Sequence, residues 1–282
     1  MRYRVRHITT YRYSDQVAVS HNLAHLAPRD EGRCRRLAWS LHVSPQPAGH
    51  RREVDAYGNQ VDRFTVTEPH RTLAVTAEST IEIQPRGFLA GDATWESVAA
   101  GAPLGCEEFR YESTLVPRDA ALRAFAEPDF PPGRPVLDAG LALCRRIHGA
   151  FAYDPAATTV NTPVMTVLRD RRGVCQDFAQ LMLGCLRSLH LPARYVSGYL
   201  ETVPPPGRER LVGADASHAW IQLWCGDDLG WVDLDPTNAC IPDDRHIPVA
   251  FGRDFADVSP ILGMVLGGGS AEVAVSVDVE RL

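Results

Sequence analysis

The chain contains no lysine, and all 29 of its basic residues are arginine. Lysine is normally among the commonest residues, so its absence is a skew in usage, which a preference for arginine codons explains. Against the arginines stand 35 acidic residues, and the net charge is −6 with histidine neutral. This charge gives no electrostatic support for binding nucleic acid or an anionic membrane, so we expect neither as a partner.

Paired cysteines, long apolar runs and several catalytic motifs are also missing. The seven cysteines are scattered without a Cys-x-x-Cys pair, which argues against a disulfide framework and a zinc cluster. No segment approaches the roughly eighteen apolar residues of a membrane span, and residues 1–13 lack the apolar core of a secretory signal. We therefore expect a cytoplasmic protein. No Gly-x-Ser-x-Gly, His-Glu-x-x-His, Gly-x-Gly-x-x-Gly or phosphate-loop motif is present, which disfavours serine hydrolase, zinc protease and nucleotide-binding functions.

The first part of the chain has β-strand patterns. From Arg2 to Tyr13, alternation places Tyr3 and Val5 on one face and arginines on the other, which predicts a half-buried strand. Similar runs at 37–44, 60–67 and 72–83 predict an antiparallel, sandwich-like β domain over residues 1–83. The net charge is positive in this segment and negative beyond it, which supports a boundary near residue 84.

The rest of the chain predicts an α+β core. Residues 84–135 are irregular and are interpreted as a connector. Within the core, residues 136–245, apolar spacing predicts a helix over 136–148 and a buried helix from Val174 to Pro192. Strands are expected at 194–200, 217–224 and 231–235. A C-terminal tail, residues 246–282, ends in a closing strand at 271–280.

Polar residues in this core occur where a nucleophilic site could form. Cys175 begins the buried helix, where unpaired N–H groups and the helix dipole favour a thiolate and can hold an oxyanion. Gly173 would leave room for a substrate backbone. His218 starts one strand, and Asp233 and Asp235 share a face of the next, so a hairpin could bring either acid to the imidazole. Taken singly, each residue is more often a packing, capping or turn residue than a catalytic one.

Four segments can be considered together: RGVCQDFA (172–179), LPARYVSGY (191–199), HAW (218–220) and WVDLDPTN (231–238). In combination they resemble the transglutaminase-like superfamily of papain-like cysteine enzymes. The resemblance extends to residues 151–154 and 252–258, and residues 1–83 resemble the β-rich N-terminal domain of bacterial members. It implies that Cys175 is the nucleophile, His218 the general base and later acid, and Asp235 the residue that orients His218. Asp233 remains the local alternative to Asp235.

Other side chains near this constellation have less defined roles. The sequence does not identify the second oxyanion donor, for which Trp220 and Gln176 are candidates. Asp177 is interpreted as a cap of the helix N-terminus. Cys225 and Cys240 could pair or share a metal with His246, an alternative that a reducing compartment disfavours.

The resemblance implies acyl transfer through a Cys175 thioester, with no metal or organic cofactor. Water as the acceptor would give a peptidase, isopeptidase or amidase, and a lysine amine would give a cross-linking transglutaminase. We favour hydrolysis because no sequence feature excludes water from the site. A non-enzymatic binding or assembly module is the rival class, against which the presence of all three site residues argues. The expected partner is a peptide or protein amide substrate. Bacterial members also suggest an ATP-dependent amide ligase that works beside the enzyme, and the oligomeric state is left open.

Overall fold

The protein, described by a computed structural model over residues 1–202 and 216–282, contains two main β-sheets. One sheet is built from both ends of the chain, and the other is built from its middle and packs against the helices. This arrangement confirms the predicted α+β class with a β-rich N-terminal region. In the described ranges, no helix has the length and apolar character needed to cross a membrane.

The elements follow one another as strands, then short helices, then a mixed region. The strands are β1 (Arg2–Ala24), β2 (Cys34–Ser44), β3 (Gly49–Val54), β4 (Gln60–Val66), β5 (His70–Ile83), β6 (Ala152–Tyr153), β7 (Arg172–Gly173), β8 (Ala193–Leu200), β9 (Ala216–Trp224), β10 (Trp231–Leu234), β11 (His246–Gly252), β12 (Ile261–Gly267) and β13 (Ala271–Arg281). The α-helices are α1 (Trp95–Ala100), α2 (Leu104–Glu107), α3 (Ala120–Ala126), α4 (Val136–Ala150), α5 (Val164–Asp170), α6 (Cys175–Ser188) and α7 (Phe255–Val258).

The first sheet is organised around β1. Strands β4 and β5 follow one another along one side of β1, β12 and β13 follow one another along the other, and all four run antiparallel to it. Strands β2 and β3 pair with β5 and β4. The predicted alternation is present, because Tyr3, Val5 and His7 are buried and the arginines between them are exposed.

These seven strands are connected in one hydrogen-bonded sheet. The reason is the length of β1, whose 23 residues pair along both halves with a strand on each side. The predicted C-terminal strand is present as β13, and it completes this N-terminal sheet.

The second sheet has the strand order β10-β9-β8-β11, with antiparallel neighbours. Helix α6 packs against β8 and β9. Ala219, Ile221 and Leu223 belong to the main core with α6, whereas Trp220 packs with Val196 and Phe251 in a separate cluster. Trp220 and the alternate residue Gln222 therefore lie on the face of the sheet that is turned away from α6.

Two predicted boundaries differ from the structure. Residues 84–135, interpreted as an irregular connector, contain α1, α2 and α3, and α3 packs on α6. These helices span four to seven residues and are too short to show a helical period. Residues 246–252, assigned to the tail, form β11 of the second sheet. Most side chains of β11 are buried, so the sequence shows no strand alternation there.

Candidate active site

Cys175 is the first residue of α6 and is partly exposed. Val174 precedes the helix in an extended conformation. Asp177 Oδ2 accepts hydrogen bonds from the Val174 backbone N–H at 2.8 Å and from Thr158 Oγ1 at 2.6 Å, which confirms the predicted capping role. The first-turn N–H groups of α6, including that of Cys175, have no acceptor within the helix. They can donate to a negative charge that develops beside the sulfur.

Gly173 serves this cap. A Cβ at residue 173 would lie 2.7 Å from Asp177 Oδ2 and 2.9 Å from Asp177 Cβ, so any larger side chain would displace the capping carboxylate. This contact replaces the predicted reason for the glycine, which was room for a substrate backbone. Gly173 also pairs with Tyr153 through the short parallel ladder of β6 and β7, which brings the segment at 151–154 beside Cys175.

His218 and Asp235 form a buried hydrogen-bonded pair. His218 Nε2 lies 2.8 Å from Asp235 Oδ2, and Asp235 is fully buried. The other oxygen, Oδ1, accepts the backbone N–H groups of Thr237 at 2.8 Å and Asn238 at 3.2 Å, while Asn238 Nδ2 donates to Oδ2 at 2.7 Å. The Asp-Pro-Thr-Asn turn thus fixes the orientation of its own carboxylate.

The charges in this cluster support one another. Burial lowers the pKa of His218, but hydrogen bonds to Asp235 and Cys175 and the negative charges of both raise it, with a net value of about 10. Burial raises the pKa of Asp235, but hydrogen bonds from His218 and His246 and the charge of His218 bring it well below its ordinary value. At neutral pH the pair is therefore an imidazolium and a carboxylate. Because Nε2 of His218 faces Asp235, Nδ1 is the ring nitrogen of His218 that can interact with the Cys175 thiol.

Asp233, the alternative partner for His218, belongs to another network. Its Oδ2 accepts from the Arg86 guanidinium at 2.6 Å, and its Oδ1 accepts from Trp220 Nε1 at 3.0 Å and Gln222 Nε2 at 2.8 Å. The strand register places Asp233 opposite Gln222, four positions beyond His218. Of the two acids, the structure thus brings Asp235 to the imidazole.

The two candidate side chains for the second oxyanion donor are both engaged elsewhere. The Trp220 indole N–H is bonded to Asp233, and Gln176 Nε2 donates to the backbone carbonyl of Val160 at 3.1 Å. Each of these N–H groups would have to break its present hydrogen bond before it could donate to a reacting carbonyl. The oxyanion donors that remain are therefore the backbone N–H groups at the start of α6, including that of Cys175.

His246 is a member of the cluster that the sequence reasoning did not place there. It is 3% exposed, and its Nε2 lies 3.1 Å from Asp235 Oδ2. The opposite ring nitrogen, Nδ1, lies 3.2 Å from Asp243 Oδ1. Its position at the start of β11, a strand without alternation, gave no local signal for this contact.

The same three side chains have the chemistry of metal ligands, since ligand atoms of His218, Asp235 and His246 lie within 4.8 Å of one another. Asp235 Oδ2 already accepts from both imidazoles and from Asn238, so a metal would have to displace three donors. The arrangement fits a hydrogen-bonded cluster better. Cys225 and Cys240 are not among these ligands, and the seven cysteines are free thiols.

Comparisons with known proteins agree with this architecture. The family model described as the bacterial transglutaminase-like N-terminal region matches residues 3–82, and that of the transglutaminase-like superfamily matches residues 124–236. The chain belongs to the transglutaminase-like superfamily. An uncharacterized protein of Mycobacterium tuberculosis is 43% identical over 289 residues, which cover 99% of this chain and 92% of the relative. One of Mycobacterium leprae is 34% identical over 292 residues, with 100% and 99% covered.

A solved structure shares the whole fold. The crystal structure of a Cytophaga hutchinsonii protein, described as a candidate cysteine protease, has a TM-score of 0.79 and 21% identity, and the match covers 99% of this chain and 90% of that one. Within this chain, the transglutaminase-like match contains Cys175, His218 and Asp235. It ends before β11, so His246 lies outside the segment that defines the superfamily.

Proposed function

We propose that this transglutaminase-like protein is a cysteine enzyme that hydrolyses amides of peptides or proteins. Cys175 is the nucleophile, His218 the general base and acid, and Asp235 the residue that holds His218. One observation carries the proposal: a partly exposed cysteine at a helix N-terminus interacts with a buried histidine, and a fully buried carboxylate, 2.8 Å from that histidine, orients it. Nucleophile, base and orienting acid in contact define this type of site by geometry and role.

The proposed reaction has two balanced halves. The Cys175 sulfur attacks the carbonyl carbon of the amide, a C–S bond forms, and the oxyanion is held by the N-terminal N–H groups of α6. His218 donates its proton to the leaving nitrogen, the C–N bond breaks, and an amine and a thioester result. His218 then takes a proton from water, whose oxygen attacks the thioester; the C–S bond breaks, the carboxylic acid leaves, and the Cys175 thiolate and the His218 imidazolium are restored.

The surroundings of the other thiols support Cys175 as the reactive one. Burial raises the pKa of Cys34 and of Cys225 to about 12, and burial together with the charge of Asp235 raises that of Cys240 to about 11. Burial also raises the pKa values of the remaining structural thiols, which are Cys106, Cys144 and Cys185. Only the thiolate form attacks, so these groups are expected to react slowly.

Exposure near the sulfur supports water as the acceptor. Cys175 is partly exposed, and Tyr153, whose β6 pairs with the segment before Cys175, is 58% exposed. Water therefore has access to a thioester at this position. The seven free thiols suit the reducing cytoplasm, which we propose as the compartment.

Thiol alkylation tests the nucleophile. The wild type, Cys175→Ala and Cys240→Ala would be treated with iodoacetamide at mildly acidic pH, and modified cysteines located by peptide mass mapping. We expect rapid single labelling of Cys175 in the wild type, the same labelling in Cys240→Ala, and none in Cys175→Ala. Equal labelling of Cys175 and the other six thiols in the folded protein would contradict the proposal and favour a binding module.

A second experiment separates water from an amine as the acceptor. Casein is incubated with the enzyme and a fluorescent primary amine, and amine incorporation is compared with the release of new amino groups or ammonia. Hydrolysis predicts release without incorporation. Because the chain has no lysine, Arg169→Lys adds a single exposed amine, and self-linked oligomers of this variant would overturn the hydrolytic assignment. If the wild type shows neither reaction, this result would argue against an enzymatic function.

A further inference from the structure

A cavity of about 400 Å³ lies between the two sheets, and neither Cys175 nor His218 is among the residues that line it. Glu31 and Arg33, which precede β2, and Arg86, which follows β5, line one side. The opposite wall is the face of the second sheet turned away from α6, with Arg194, Trp220 and Trp231. Ligand pockets commonly occur between structural units, with volumes of about 300–1,000 Å³.

Both acidic residues in the lining already have full partners. Asp233 accepts from Arg86, Trp220 and Gln222. The two oxygens of Glu31 face Nε and Nη2 of Arg29, at 2.9 and 2.8 Å. The carboxylates of Asp233 and Glu31 are thus paired with Arg86 and Arg29, and among the described residues the other two arginines of the lining form no ion pair within 4.0 Å.

Arg194 is the first such cation. Its guanidinium lies 4.4 Å from the ring centroid of Trp231 and 4.1 Å from that of Phe251, and its Nε donates to Gln222 Oε1 at 2.8 Å. Among residues 1–202 and 216–282, no carboxylate lies within 4.0 Å of it. Burial lowers the pKa of Arg194 to about 10, so the group is charged at neutral pH.

Arg33 is the second arginine of this kind in the lining of the cavity. Its Nη1 donates to the backbone carbonyl of Gln84 and its Nη2 to that of Asp243, each at 3.1 Å. Both acceptors are neutral, and the described part of the chain again offers no carboxylate within 4.0 Å. Two arginines without a carboxylate within 4.0 Å, beside one partly enclosed space, favour an anion there.

We propose that this cavity binds a small organic carboxylate. The planar guanidinium of arginine matches a carboxylate through paired N–H donors. The rings of Trp220, Trp231 and Phe251 supply apolar walls for the body of the ligand. The site is separate from Cys175, so its test does not depend on catalysis.

Calorimetric titration with matched probes tests the proposal. Phenylacetate and its neutral analogue phenylacetamide would be titrated into Cys175→Ala and into wild-type protein. We expect saturable, one-to-one binding of phenylacetate, the same affinity in both proteins, and at least about tenfold weaker binding of the amide. Equal affinity for acid and amide, or no saturable binding of phenylacetate, would overturn the proposal. So would loss of binding after alkylation of Cys175, which would locate the acid at the catalytic thiol.

Arginine variants assign the binding to this cavity. Arg33→Gln and Arg194→Gln should each weaken phenylacetate binding about tenfold or more. The matched control is Arg169→Gln, because Arg169 is exposed and pairs with its neighbour Asp170; its affinity should be unchanged. If Arg194→Gln does not fold, Arg33→Gln decides together with the comparison of acid and amide. Wild-type affinity in Arg33→Gln, or an equal loss in Arg169→Gln, would overturn the assignment.

Discussion

Asp233 and Asp235 lie two positions apart in the same short segment, but their carboxylates have different kinds of partner. Asp235 is fully buried and accepts from two imidazoles, an amide and two backbone N–H groups. Asp233 accepts from a guanidinium, an indole and an amide. One carboxylate is thus surrounded by groups that can exchange protons, and the other by groups that keep theirs.

This difference separates the two regions by function. A buried carboxylate beside titratable rings can set the charge and orientation of a histidine, as a catalytic pair requires. A carboxylate paired with arginine neutralises a fixed charge, and in the described part of the chain Arg33 and Arg194 are the cavity arginines that have no carboxylate within 4.0 Å. His246 belongs to both regions, since it contacts Asp235 and also lines the cavity.

The largest effect is expected for Asp235→Asn. An amide cannot stabilise the imidazolium and favours the wrong tautomer of His218, so the rate of Cys175 alkylation by iodoacetamide should fall about 100-fold or more. The measurement is the pseudo-first-order rate for Cys175, with circular dichroism as the check on folding. A folded Asp235→Asn protein that alkylates at the wild-type rate would remove Asp235 from the proposed mechanism.

His246 is expected to have the next largest effect, as a positioning residue that acts through Asp235. His246→Phe removes the donor to Asp235 Oδ2, and we expect about a tenfold slower alkylation of Cys175. His246→Gln keeps an N–H donor and should restore much of the rate and the wild-type pH profile. If both variants slow the alkylation of Cys175 to the same extent, His246 contributes only packing. If neither differs from the wild type, the contact has no part in holding the carboxylate.

The two regions also differ in how far the sequence predicts them. Cys175, His218 and Asp235 stand at a helix start, a strand start and an Asp-Pro-Thr-Asn turn, and such local patterns can be read from the sequence. Arg86 could not be assigned to Asp233, because 147 residues separate them and only the packing of the two sheets brings them together. The role of Gly173 was missed for a related reason, since the Asp177 carboxylate that it accommodates is placed by the fold of the helix start.

The strands also differ in how far the sequence predicts them. Strands with one buried face, such as the first half of β1, alternate and were predicted. Strand β11 is buried on both faces and carries no such pattern. Strands β12 and β13 complete a sheet whose other strands lie at the opposite end of the chain, and no local pattern specifies that pairing.

The pH dependence of stability gives a third, smaller test. The pKa of His218 is raised from 6.5 to about 10 in the folded protein. Its contribution to the free energy of unfolding is therefore fully present below pH 6.5 and is lost as the pH rises through about 10, at no more than about 1.4 kcal/mol per pH unit. Urea unfolding across this range should show a steeper loss in the wild type than in His218→Gln. Asp233→Asn should keep the wild-type slope, because Asp233 does not contact His218. Parallel curves for the wild type and His218→Gln would contradict the charged pair.

The smallest change in thiol chemistry is expected for Asp233→Asn, and its effect should appear in the cavity. The rate of Cys175 alkylation should stay within about twofold of the wild type, because Asp233 lies outside the His218 cluster. Loss of the carboxylate leaves Arg86 unpaired and makes the lining more positive. Phenylacetate should therefore bind at least as tightly to Asp233→Asn as to the wild type, whereas Arg33→Gln weakens it. Calorimetry on the two folded variants measures both changes in phenylacetate affinity in one series. Weaker binding in Asp233→Asn would mean that the acid, and not Arg33 and Arg194, determines what the cavity accepts.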